Sequence, residues 1–189
     1  MLNLGTGFSA INRGAGGSNT LSWIENTCTQ GPAIPNCMIA ATGVFLNSGV
    51  DIISIMLGTN ETRPVNDYKA NMQTIIDILK NEGFKHVILN QLIYKPGGLS
   101  QLPLIQQYNT VLVDLVAENS GFVLLGDTQA YAATEAISGV GFYDGAHPNN
   151  TGYQKIGELW ADAIRSALEY QINPTHQRSG NTTYQLTTS

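Results

Sequence analysis

From residue 50 onward the chain alternates between two hydrophobic periods, and that alternation constrains its fold more than any other feature. Val50–Leu57 (VDIISIML), His86–Leu92 (HVILNQL) and Phe122–Leu125 (FVLL) are β-rich apolar runs of strand length. Between and after them lie stripes of helical spacing. Tyr68, Met72, Ile75, Ile76 and Leu79 form one, which stops at Gly83, a residue suited to the position just past a helix end. Ile105, Tyr108, Leu112, Leu115 and Val116 form a second. Ile156, Leu159, Trp160, Ala163, Ile164, Ala167 and Leu168 form the clearest, with Thr151 and Gln154 spaced as a capping box at its start. Strands that are nearly all apolar must be covered on both faces. The expectation is therefore an α/β fold of three layers, α/β/α, around a parallel sheet. In such sheets chemistry collects beyond the carboxyl ends of the strands.

A chain of 189 residues is long enough to bury a full core as one domain. That domain is expected over residues 1–170, while 171–189 (QINPTHQRSGNTTYQLTTS) turns polar and Thr/Ser-rich, as a tail or linker does. Charged residues are only 12%, so Asn, Thr, Ser and Gln must supply much of the polar surface. A net charge of −5 with nine Lys and Arg argues against binding a nucleic-acid backbone. No apolar run approaches the ~20 residues of a membrane span. The start, MLNLGTGFSA, has neither the basic end nor the apolar core of a signal peptide.

Cys28 and Cys37 bracket a Gly/Pro loop, TCTQGPAIPNC. Two such ligands without neighbouring His make a poor zinc site, and no metal is expected. Gly31-Pro32 and Pro35-Asn36 favour turns that would bring the two cysteines close. A disulfide, worth roughly 2–3 kcal/mol for so short a ring, and two free thiols both remain open. Low charge and a plausible loop disulfide lean the expected location toward export or the cell surface.

Three segments pass the strand-end filter: NRGAGGSN (Asn12–Asn19), GTNE (Gly58–Glu61) and YDGAHPN (Tyr143–Asn149). Each alone is a common kind of loop. Together and in this order they resemble the SGNH (GDSL-type) hydrolases, a family of esterases, lipases and carbohydrate deacetylases. The resemblance runs from about residue 4 to residue 168, and its most distinctive piece is Asp144-x-x-His147-Pro148 before a helix. It implies the flavodoxin-like fold of that family and a metal-independent reaction without a cofactor, on a small ester or acetylated carbohydrate. It also implies the roles. Gly17 N–H and the Asn60 side chain stabilise the oxyanion, His147 is the general base, and Asp144 orients it. Such donors each lower the acyl-transfer barrier by about 3–4 kcal/mol, and the aspartate fixes the imidazole tautomer. Gly17, Asn60 and His147 are expected to converge on one shallow pocket.

The chain departs from the family pattern at the nucleophile. The family's first block is a strand ending in GDS, followed by a helix. Here only eleven residues precede Asn12, and LNLGTGF reads as the end of that helix. Ser18 neighbours Gly17 on the wrong side of the site, Ser9 lies at the far edge, and Gly126-Asp127-Thr128 mimics GDS after a later strand. None fits the position, so the nucleophile is not identified. Either the chain is a shortened form lacking its first strand, or that element comes from elsewhere, for example the tail TTYQLTTS. A vacant sheet edge would favour self-association. Two functions follow: an ester hydrolase, or a catalytically impaired or non-catalytic carbohydrate- or ligand-binding module on the same fold.

Overall fold

The computed structural model describes residues 14–25, 27 and 51–172, with side chains as far as residue 169. The element order is α1 (Thr20–Ile24), β1 (Ile52–Ile55), α2 (Val65–Asn81), β2 (His86–Leu89), α3 (Leu102–Glu118), β3 (Val123–Leu125), α4 (Ala130–Ala136) and α5 (Asn150–Ile172). A short 3-10 turn, Leu99–Gln101, leads into α3.

All three apolar runs become strands of one parallel sheet in the order β1-β2-β3. Ile53 lies beside Val87, and Val87 beside Val123. Because side chains alternate across a strand, this register sorts the apolar residues onto two faces. Val87, Leu89 and Val123 join Met72 and Ile76 of α2 and Leu112 and Leu115 of α3 in one core. Ile88 and Leu124 point the other way, into a second core with Ile164 and Ala167 of α5. Two helices cover one face and the long last helix the other, which is the three-layer α/β/α arrangement. Each buried side chain contributes roughly 1.5–3 kcal/mol to holding the layers together.

The stripe of α2 is wholly buried, and Gly83 just past its end has φ 88°. Four of the five α3 stripe residues are buried, while Val116 packs at the rim of the core. Two expectations need correction. The last helix starts one residue before Thr151, and its cap is not the Thr151–Gln154 box. Asn149 Oδ1 accepts the N–H groups of Thr151 and Gly152 at 3.0 and 3.2 Å, while Gln154 turns outward to Glu158. Asn is among the strongest cap formers, so it takes the position first. The same helix also runs to Ile172, two residues into the segment expected as tail. Cys28, Cys37, Ser9, the expected vacancy of a first strand and the rest of the tail lie outside the described residues.

No helix among the described residues is long and apolar enough to cross a membrane.

Candidate active site

A parallel sheet brings the ends of all its strands to one edge, and the candidate residues rise from that edge in two groups. The first group begins where β1 ends. Gly58 accepts the N–H of Glu61 at 2.9 Å, closing a turn that leaves Asn60 exposed at its tip. Asn60 Nδ2 points at the carbonyl of Ser18, 3.5 Å away. Gly17 sits beside Ser18 with φ 71°, a left-handed conformation that favours glycine. The Gly17 N–H is exposed and has no partner among the described residues, so it is available as a donor. Asn19 then caps α1, its side chain accepting the Ser22 N–H at 3.0 Å.

The second group is the loop before α5. Phe142 pairs with Pro148, and the Tyr143 N–H donates to the His147 carbonyl at 2.9 Å, so residues 143–147 form a closed bend. Inside it, Asp144 Oδ1 accepts the N–H groups of Ala146 and His147 at 2.7 and 2.8 Å. The His147 Nδ1 lies 2.9 Å from Oδ2 and 3.1 Å from Oδ1. These contacts, the His147 ring first and the two backbone N–H groups next, hold the Asp144 carboxyl down at about 2. An ionised carboxylate only accepts hydrogen bonds, so the Nδ1 atom must carry the ring proton. Nε2 is left as the basic lone pair on a side chain that is 72% exposed.

A glycine pair seats this loop. The Gly97 N–H donates to the Gly145 carbonyl at 2.6 Å. A Cβ on Gly97 would fall 2.7 Å from the Gly145 Cα, and one on Gly145 would fall 2.5 Å from the Gly97 Cα. Only two glycines allow this approach between the loop after β2 and the bend holding Asp144 and His147. A small apolar cluster links the two groups from below. Met56, just past β1, and Phe142, before the bend, both pack on Ile93, Ala130 and Ile156.

The structure thus joins Asp144 to His147, and Asn60 to the Gly17–Ser18 arm. Among the described residues no hydrogen bond connects one pair to the other. Two cavities lie elsewhere. One of about 410 Å³ sits between α3 and α4 and is lined by residues including Gln91, Gln106, Asp114 and Tyr131. Another of about 230 Å³ lies along α5 beside Thr151 and Lys155. The expected shallow pocket at Gly17, Asn60 and His147 is neither of these.

One rejected nucleophile, Ser18, and the aspartate beside another, Thr128, have other work. Ser18 Oγ donates to the Ala15 carbonyl at 2.7 Å and accepts from the Trp23 indole at 2.9 Å. In Gly126-Asp127-Thr128 the aspartate is buried, and its two oxygens accept the N–H groups of Gln129 and Ala130 at the start of α4. Burial pushes the Asp127 carboxyl upward, partly offset by those two bonds. Among the described residues no three His, Cys, Asp or Glu side chains gather as a metal site.

Sequence reasoning missed several residues that shape the edge. Asn90, fully buried at the end of β2, donates to Ser54 Oγ at 2.7 Å and accepts the Asp127 N–H at 3.1 Å, tying all three strand ends together. Asn109 and Thr134 hold the next stretch by accepting the N–H groups of Leu92 and Tyr94. Glu61 is the third kind, a buried carboxylate beside Asn60. Its only sequence signal was its place inside the GTNE turn.

No family model matches the chain, and no curated protein matches it. Solved structures do. A catalytic mutant of an acetylxylan esterase from Geobacillus stearothermophilus is 18% identical with a TM-score of 0.52, the match covering 83% of this chain and 68% of that one. A member of the lipolytic protein G-D-S-L family from Veillonella parvula is 17% identical with a TM-score of 0.48, covering 93% and 95%. The likeness to the first is one of fold, the three-layer α/β/α arrangement around a parallel sheet.

Proposed function

We propose that this chain is an ester hydrolase of the SGNH type, with small acyl esters or acetylated carbohydrate as substrates. The observation that carries the reading is the Asp144–His147 pair. A carboxylate fixes the Nδ1 proton and leaves Nε2 exposed at the sheet edge where an α/β fold does its chemistry. In this reading Nε2 takes the proton of the attacking hydroxyl and returns it to the leaving alkoxide, while Asp144 stabilises the imidazolium. Gly17 N–H and Asn60 Nδ2 receive the oxyanion. The nucleophile that the resemblance implies is a serine on a GDS-type strand end. Among the described residues no serine is hydrogen-bonded to His147. The second reading is a binding module on the same fold.

Hydrolysis of p-nitrophenyl acetate, with fluorophosphonate labelling and peptide mapping, separates the two. For the 189-residue chain we expect weak hydrolysis that falls with His147→Ala to the residual rate of about 10³–10⁴ over water that oxyanion donors alone retain. Extending the chain with a GDS-bearing strand should raise the rate greatly and make that serine the labelled residue. Turnover undiminished by His147→Ala removes the proposed mechanism. No hydrolysis with or without the added strand leaves the binding module.

A further inference from the structure

The turn that presents Asn60 contains a buried carboxylate that the mechanism above does not use. Glu61 is 2% exposed, and both its oxygens are engaged. Oε2 accepts the backbone N–H of Thr20 at 3.1 Å and also the Thr20 hydroxyl. Oε1 accepts the Arg63 guanidinium at 2.8 Å and the N–H groups of Thr62 and Arg63 at 3.1 and 3.3 Å. Thr20 is itself fully buried, and its hydroxyl accepts from Asn71 Nδ2 at 3.0 Å.

Burying a carboxylate is costly unless it is paired and hydrogen-bonded. Here burial pushes the Glu61 carboxyl up, but the bonds from Thr20 and Arg63 outweigh it and the group titrates below its ordinary value. The site therefore holds an anion. The neighbouring Tyr68 and Tyr108 phenols are pushed up, first by their own burial and then by that charge.

Asn19 takes the Ser22 N–H of α1, and Glu61 takes the N–H of Thr20 in the same first turn, so its carboxylate also closes the helix start from across the fold. What Glu61 does is bridge two segments 41 residues apart. The other bond between them, Asn60 Nδ2 to the Ser18 carbonyl, is 3.5 Å long, at the outer limit of a hydrogen bond and too weak to hold the arm alone. Resting on the oxyanion reading above, we propose that Glu61 is a positioning residue that clamps the Gly17–Thr20 arm to the Asn60 turn, so that Gly17 N–H and the Asn60 amide face one point.

The test uses Glu61→Gln, Thr20→Val and Thr20→Ser in the whole chain. Glu61→Gln turns one acceptor into a donor facing the Thr20 N–H. Thr20→Val removes the hydroxyl without changing the volume, and it decides the matter if Glu61→Gln fails to fold. In both variants the Gly17 and Asn60 side-chain amide resonances should shift and exchange faster, while those of Ala146 and His147 stay in place. Thr20→Ser should restore the wild-type spectrum. Hydrolysis of p-nitrophenyl acetate should lose about tenfold to hundredfold in kcat with KM little changed, the pattern of misplaced transition-state donors. Unchanged Gly17 and Asn60 resonances in a folded variant overturn the clamp. If those resonances move but the wild type shows no His147-dependent hydrolysis, the clamp stands and the esterase reading falls.

Discussion

Asp144 serves two kinds of donor with one carboxylate, and the division explains why an amide cannot replace it. Two backbone N–H groups and the His147 ring all need an acceptor there. In Asp144→Asn the remaining oxygen can still hold the Ala146 and His147 N–H groups, so the bend should persist. The new Nδ2 can only donate, which obliges Nδ1 of His147 to accept and sends the ring proton to Nε2. We expect ¹⁵N spectra to show this exchange of tautomers, and the His147-dependent part of the hydrolysis to be lost with little change in melting temperature. An unchanged tautomer in the variant contradicts the assignment. Because the carboxyl is held at about 2, any loss of activity setting in at about pH 4, the ordinary carboxylate range, belongs to another group.

Among the connecting elements, two adjacent glycines should behave very differently. A Cβ at Gly97 meets the backbone of Gly145, whereas one at Gly98 meets side chains alone, Lys95 at 2.9 and 3.1 Å and Gln101 at 3.3 Å. Backbone cannot step aside cheaply; a lysine chain can. Gly97→Ala should therefore cost about 1–3 kcal/mol and shift the His147 resonances. Gly98→Ala should do neither. Equal behaviour in denaturant titration and NMR would show that the close approach is not what seats the bend.

The same contrast explains what was legible beforehand. The strands and long helices were readable because their apolar residues repeat at fixed local intervals, and burial follows those intervals. The Asp144–His147 pair was readable because both partners sit within one bend. Short α1 and α4 carry too few residues for a period to show. The roles of Asn90 and Glu61 arise only when partners 36 and 41 residues away arrive. The mutual glycines of the loop after β2 and the final bend were hidden for the same reason. Local pattern marked the candidate residues, and non-local pairing builds their surroundings.

At the scale of the molecule the two groups of the candidate site stand on different layers. The Asn60 turn leads into α2 on one face, and the Asp144–His147 bend leads into α5 on the other, so the sheet and the clusters at its edge must keep them in register. Two carboxyls at these places titrate below their ordinary values, Glu61 and Asp144. A group of this kind binds fewer protons folded than unfolded. Its contribution to stability is complete above the unfolded value, about 4, and is lost as pH falls through the folded value. Asp144 is held far below its ordinary value, yet both members of that pair are more than half exposed, and water and salt screen them. The Glu61 side chain is fully buried, so its share should dominate. Asp127, raised by burial, works in the opposite sense: its contribution is present below the unfolded value and is lost as pH rises through the folded one. The wild type should therefore exceed Glu61→Gln in stability at neutral pH, and the gap should close as the solution is taken below about pH 4. The gap between wild type and Asp144→Asn should stay small throughout and shrink further in high salt. Urea titrations followed by tryptophan fluorescence across that range measure both gaps. A Glu61→Gln gap that stays constant with pH would mean that Glu61 holds its partners by shape rather than by charge.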